Sequence, residues 1–222
     1  METSAPPGVR PTLPHWMLLA LVPYVVLAAC ALYLSLHWNR IPQRFPVHWG
    51  AHGPNGWSQR SFLGVFSPLI FAAGLATLLL ALGVAVYRAS QRSDQGLITL
   101  KAMVGVACVM GVVFSGVGLL ALGVSPTLFV VSVPILVLGL VVFLIQTAAK
   151  PDTASPPTPG HAWKPGGVYY NPGDPKLLVP KRFGIGYTFN FAHKASWLIV
   201  AGFCGGMALL VAFLVWALHA QR

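Results

Sequence analysis

The chain has 222 residues, of which 56% are hydrophobic and only 8% charged, and its formal net charge is +10. A soluble globular domain carries about 25% charged residues, so that class is excluded. The positive balance fits a bilayer bearing anionic lipid heads, each nearby basic residue contributing roughly 1 kcal/mol, and no nucleic-acid partner is expected.

Met1 to Pro14 is rich in proline and small residues and reads as a disordered cytoplasmic tail, residues 1–14. Five segments then lack charged side chains: Trp16–Leu36, Phe62–Val86, Ala102–Val124, Leu128–Ala149 and Trp197–Leu218. Each is long enough to cross a hydrocarbon core that needs about 20 helical residues. The first has Pro23 inside it and no small-x-small cleavage site, so it reads as a retained span rather than a signal peptide. Nothing charged lies between Ala102 and Ala149, but one helix over that stretch would run about 72 Å, more than twice the hydrocarbon thickness. Ser125-Pro126 supplies the break.

The pattern predicts an all-α membrane protein of about five transmembrane helices. Residues 15–149 form a four-helix membrane domain with an outer loop at 37–61, residues 150–194 a proline-rich tether and a small turn/strand module, and residues 195–222 the fifth helix and a short outer tail. With the N-terminus inside, the cytoplasmic side receives Arg10, Arg88, Arg92, Lys101, Lys150, Lys164, Lys176, Lys181, Arg182 and Lys194, while Arg40, Arg44, Arg60 and Arg222 fall outside. That asymmetry predicts a cytoplasmic N-terminus and an external C-terminus.

The spans read as packing elements. Cys30, Cys108 and Cys204 all fall inside them and are expected to pack rather than to form a disulfide framework. Gly202 with Gly206, and Gly111 with Ser115, are small-xxx-small pairs suited to close helix approach, and Pro23, Pro68 and Pro134 are placed to bend their helices. All four acids, Glu2, Asp94, Asp152 and Asp174, lie outside the spans, which argues against a proton relay or cation pathway.

The outer loop, His37 to Ser61, interleaves Trp38, Trp49 and Trp57 with Arg40, Arg44, Arg60, His37, His48 and His52. Tryptophan at the interface is an anchor. His48 and His52 are candidate metal ligands by their i, i+4 spacing, but Gly50, Gly53 and Pro54 argue for a turn, and no Asp, Glu or Cys completes a shell. No cofactor is therefore expected, and the histidines are assigned to loop ordering or recognition.

In the inner segment, Pro151 to Pro165 reads as an extended tether. Asn171-Pro172-Gly173-Asp174-Pro175 reads as a compact turn, and bulky residues alternate with small or polar ones from Phe183 to Phe191 as in a strand. Lys181 and Arg182 are placed to meet lipid phosphates. Gly184-x-Gly186 lacks the third glycine of a dinucleotide loop and the Gly-Lys-Ser/Thr of a P-loop, so nucleotide binding is not expected.

Ile41, Pro42, Pro46, His48, Trp49, Gly53, Trp57 and Arg60, between the first two spans, resemble the extracytoplasmic loop of bacterial SdpI-like membrane proteins. That pattern usually carries an aspartate; here it is missing and Asn55 stands nearby. The inner segment resembles a second short domain of unknown function through Trp163, Gly166, Tyr170, Asn171, Pro172, Asp174, Pro175, Leu177, Val179, Pro180, Lys181, Arg182, Gly184, Gly186, Thr188 and Asn190. The resemblance implies a multi-pass protein of the bacterial inner membrane with a sensor, immunity or accessory role. The family is known mainly through an immunity protein that is a receptor for a secreted antimicrobial protein and, once engaged, holds a transcriptional repressor at the membrane.

The expectation is thus a non-enzymatic membrane protein. An outer recognition site of Pro46, His48, Trp49, Gly53 and Trp57 would meet a secreted peptide or protein. A cytoplasmic module with Tyr170, Asn171, Pro172, Asp174, Lys181, Arg182, Gly184 and Gly186 would meet anionic lipid or a protein partner. The alternative is a transporter or channel subunit for an uncharged or lipid-like substrate, with a cavity lined by Thr77, Ser115, Ser132 and Thr147.

Overall fold

A computed structural model of the chain describes residues 15–50, 52–90, 94–125, 131–139, 142, 159–182 and 187–219. The first span starts as a 3-10 turn, His15–Leu21, and becomes α-helical in α1, Val22–Leu36. Pro23 stands in the first turn of α1, where its missing N–H costs no hydrogen bond, so it marks a change of helix type rather than an internal kink.

Where the sequence indicated an outer loop with a turn near Gly50–Pro54, the chain forms a β-hairpin. Strand β1, Arg44–Gly50, pairs antiparallel with β2, Gly53–Gln59, in a register running from Arg44 opposite Gln59 to Gly50 opposite Gly53, with irregularities on both sides of His48. Ser61 then caps α2, Phe62–Ala89, its hydroxyl accepting from the Gly64 amide at 3.0 Å. α3, Asp94–Leu119, ends in a 3-10 turn, Leu120–Leu122, closed by Gly123. Helix α4 is described at 131–139, and apart from Val142 the rest of the predicted span Leu128–Ala149, Thr147 included, lies outside the described residues. So do the tail 1–14 and the tether as far as 158.

After a 3-10 turn at Gly160–Ala162 come β3, Trp163–Lys164, β4, Val168–Tyr169, β5, Leu178–Pro180, and β6, Tyr187–Phe189; α5, Lys194–His219, follows. β3 pairs with β4 and β5 with β6, both antiparallel, and a bridge between Tyr169 and Asn190 joins the two ribbons. Pairing answers the instability of an isolated strand.

The molecule is mostly helical, and among the described residues Met17–Leu36, Phe62–Ala89, Gly96–Leu122 and Lys194–Phe213 are long and apolar enough to cross a membrane. Leu32, Leu198 and Leu209 are 61–74% exposed, an outward apolar surface that suits hydrocarbon rather than water. α3 packs against both α1 and α2, and α5 against α2. Glycines set these contacts. A Cβ on Gly111 would lie 2.9 Å from Pro23 Cα, and one on Gly206 2.6 Å from Leu78 Cδ1, whereas Gly202 faces open space.

Gly206 meets Leu78 while Gly74 meets Leu210, so α5 runs antiparallel to α2 and begins near the end of α2. The hairpin and the β3–β6 module therefore lie at opposite ends of the helix bundle. Each has its own apolar anchor. Ile41 and Phe45 from the hairpin segment are buried with Leu27, Cys30, Leu34, Val65, Leu69 and Ala121, whereas the module closes on Ala162, Tyr169 and Val179.

Candidate functional site

The hairpin end is built on buried apolar residues and shows polar and aromatic ones. Ile41 is 1% exposed and Phe45 3%, and Trp38 stacks on Phe66 at 6.1 Å between ring centres, so the loop is fixed to α1 and α2. Arg60 ties it from the other side, donating through Nη1 to the Ile41 carbonyl at 3.0 Å and through its amide to Gln43 at 2.9 Å. Gly64 is required where α2 begins, because a Cβ there would run into the Gln59 carbonyl.

On this base His48, Trp57 and Arg44 are exposed, and Pro46, Trp49 and Gly53 are half-buried. The Arg44 guanidinium lies 5.6 Å from the Trp57 ring centre, a cation–π distance. His48 Nδ1 is hydrogen-bonded to Asn55 Oδ1. Because the amide oxygen only accepts, Nδ1 is the donor in this bond, which fixes the ring's orientation on the hairpin. Gly56, opposite His48, makes room for that ring: a Cβ on it would be 2.7 Å from His48 Cβ. Asn55 thus takes a place that the sequence reading did not assign to it.

The spacing argument for metal does not hold in this geometry. His48 is on a strand and His52 in the turn between strands, so their separation by four residues does not put them on one helical face. Among the described residues, no group of three His, Cys, Asp or Glu side chains could hold a metal ion.

At the other end, the module is organised by two residues that lay outside the expected set, Tyr169 and Asn190. Of the paired tyrosines it is Tyr169 that is buried, at 0% exposure, while Tyr170 is 46% exposed. The Tyr169 hydroxyl donates to Asp174 Oδ2 at 3.0 Å and accepts from Asn171 Nδ2 at 3.1 Å. Burial pushes the phenol above its usual range; the Asn171 bond works against this, and the Asp174 carboxylate adds to it.

Asn190 is the clasp. Its Oδ1 accepts from the amides of Asn171 at 3.0 Å and Ala192 at 3.2 Å, and its Nδ2 donates to the carbonyls of Asn171 at 2.9 Å and Asp174 at 3.1 Å. One fully buried amide so joins the Asn171–Asp174 turn to the strand that precedes α5. The join continues into the helix. His193 Nε2 donates to the Asp174 carbonyl at 2.8 Å, Ser196 Oγ to the Asn190 carbonyl at 2.6 Å and Trp197 Nε1 to the Phe191 carbonyl at 2.9 Å.

Asp174 is turned inward: Oδ1 accepts from the Lys176 amide at 2.9 Å and Oδ2 from Tyr169. Asn171 closes its own turn by accepting from the Gly173 amide at 3.1 Å, and Pro172 stands exposed beside it. The structure therefore brings Asn171, Pro172 and Asp174 together. Lys181 and Arg182 are exposed and line a groove with the Gly166–Gly167 turn. Gly184 and Gly186 lie outside the described residues. No spacing rule could have joined Asn190 to Asn171, nineteen residues away; the one available signal was its place in the inner motif.

Of the alternative's cavity residues, Thr77 and Ser115 donate to the Ala73 and Gly111 carbonyls of their own helices at 2.8 Å each, and the Thr77 hydroxyl also pairs with the Tyr24 hydroxyl of α1 at 2.8 Å. Neither Thr77 nor Ser115 lines the apolar grooves between α1 and α2 or between α2 and α5.

The fold and its two ends define a multi-span helical membrane protein with a structured element at each end of the bundle. Residues 25–72 match a domain of unknown function (DUF1648), and residues 172–197 match a family of unknown function (DUF5808). The first match covers most of α1, the hairpin and the start of α2; the second runs from the Asn171–Asp174 turn to the first turn of α5. The first takes in the whole hairpin; the second takes in β5 and β6 but not β3 and β4. No curated protein and no solved structure matches the chain.

Proposed function

We propose that the chain is a non-enzymatic sensor or immunity protein of SdpI-like type in the bacterial inner membrane. The hairpin faces outward to receive a secreted peptide or protein, and the module sits at the cytoplasmic face. The observation that carries this reading is the seating of the hairpin. Ile41 and Phe45 are sunk into the bundle, while Arg44, His48 and Trp57 stand exposed on a fixed frame. Exposed Trp and Arg on a rigid support have the composition of an interface centre and lose little entropy on binding. The charge asymmetry of the sequence supports the orientation, and the resemblance of the loop to SdpI-like proteins supports the class of ligand.

The experiment is deletion of the gene followed by challenge with a panel of secreted antimicrobial peptides and proteins. Increased sensitivity is expected, restored by the wild-type chain but not by Trp57→Ala or His48→Ala variants present in the membrane at normal level. Unchanged sensitivity across a broad panel would remove the immunity role. Full restoration by both variants would remove the hairpin from it.

A further inference from the structure

The module carries an open groove of about 520 Å³, lined by Trp163, Lys164, Gly166, Gly167, Lys181 and Arg182. Its three cations come from two separate ribbons. Lys164 belongs to β3, and Lys181 and Arg182 follow β5. What brings them together is the buried core between, where Trp163 packs edge-on against Tyr169 at 5.1 Å and Tyr169 packs with Val179. Among the described residues the groove has no acidic lining. The module's acid, Asp174, is not among the lining residues and is held by Tyr169 and the Lys176 amide. Three like charges along a wall of low dielectric focus a positive potential that none would produce alone.

The turn that closes the groove is shaped for close approach. Gly166 and Gly167 have consecutive positive φ values of 80° and 77°, a conformation L side chains rarely adopt. A Cβ on either would meet nothing within 4 Å, so the space in front of this backbone is open. An open backbone turn with cations around it leaves room for an anion to approach and be held by charge-assisted hydrogen bonds.

The setting selects the source of that anion. Trp197, 59% exposed in the first turn of α5, is fixed by its bond to Phe191 at the start of a helix able to cross a membrane. Tryptophan so placed sits at headgroup level, and the module is joined to the same helix end through Asn190 and Ser196. We propose that the groove is a binding site for the phosphate of an anionic phospholipid headgroup, held by Lys164, Lys181 and Arg182 against the Gly166–Gly167 turn. The proposal rests on the module lying against a membrane face, and not on the sensor role of the hairpin.

The test is native mass spectrometry of the full chain in detergent, with phosphatidylglycerol and phosphatidylcholine supplied in equal amounts. Wild type should retain phosphatidylglycerol preferentially. The Lys164→Gln, Lys181→Gln, Arg182→Gln triple variant should lose that preference by on the order of tenfold. A charge-matched control, Arg88→Gln, Lys176→Gln, Lys194→Gln, should keep it, as should Lys164→Arg with Lys181→Arg. Equal loss in the control would show diffuse attraction and overturn the site. Displacement of the lipid by millimolar inorganic phosphate would assign the groove to a soluble phosphate and overturn the lipid source. Retention by the triple variant would overturn both. A negative result here leaves the antimicrobial challenge unaffected, and a negative challenge leaves lipid retention unaffected, so the two ideas fail separately.

Discussion

Replacing Asn190 by alanine should open the module while leaving the helix bundle intact. The wild-type side chain is 0% exposed and makes bonds to the amides of Asn171 and Ala192 and the carbonyls of Asn171 and Asp174. Alanine removes both halves of the amide and leaves those backbone groups without these partners. Each buried group left unpaired costs about 1–3 kcal/mol. The bonds lie in a part-buried setting where water can replace some of them, so a net loss of about 2–4 kcal/mol is expected. At 1.4 kcal/mol per factor of ten, that raises the local opening constant about 30- to 700-fold. Hydrogen exchange by mass spectrometry on the detergent-solubilised full chain reads this directly. Peptides spanning 168–180 and 187–193 should exchange faster, and peptides from α2 and α3 should not change. Unchanged exchange in 168–180 would refute the clasp. Acceleration spread equally through α2 and α3 would refute the separation of module and bundle. Asn190→Asp keeps the acceptor, loses both donors and buries a charge, so it should open the module at least as far.

Other outcomes follow from the same geometry. Gly206→Val should weaken the α2–α5 contact by about 1–3 kcal/mol through overlap with Leu78, whereas Gly202→Val, facing open space, should be near neutral; equal effects in a thermal or SDS unfolding assay would contradict the packing described. The Tyr169 phenol has its value raised in the folded state, mainly by burial, so the stability it contributes is fully present below its ordinary value of 10.0 and is lost as pH rises beyond it. Module exchange should therefore accelerate above pH 10 beyond its intrinsic rate, and Tyr169→Phe should remove that inflection. A cysteine at His52 should react with an impermeant maleimide in intact cells, and one at Lys176 only after permeabilisation; the reverse pattern would invert the proposed orientation.

The spans were legible because hydrocarbon tolerates so few side chains: a run without charge and of sufficient length has little else to be. The boundary at Ser61 was of the same local kind, a hydroxyl placed to meet the Gly64 amide. The hairpin was not legible. β2 reads Gly53-Pro54-Asn55-Gly56-Trp57-Ser58-Gln59, a composition of turns rather than strands. It is held extended by pairing with β1, by the burial of Phe45 and Ser58, and by the room Gly56 leaves for His48. Strand preference is decided by such neighbours more than by the residue itself.

The paired tyrosines show the same limit. Adjacent residues in extended chain point to opposite faces, and only the position of the core tells which is buried. Tyr169 faces Ala162 and Val179, and Tyr170 is left outside. Sequence by itself determined that this chain has membrane-spanning helices, that its charges lie between and beyond them, and that its inner motif mixes turn and strand, because each of these is a property of contiguous residues. Tertiary structure alone decided that the connection after α1 is a hairpin seated by Ile41 and Phe45, that Asn55 orients His48, that Asn190 clasps a turn nineteen residues before it, and that three cations from two ribbons share one groove. Those are contacts between distant segments, and their energies exist only once the chain has closed on itself.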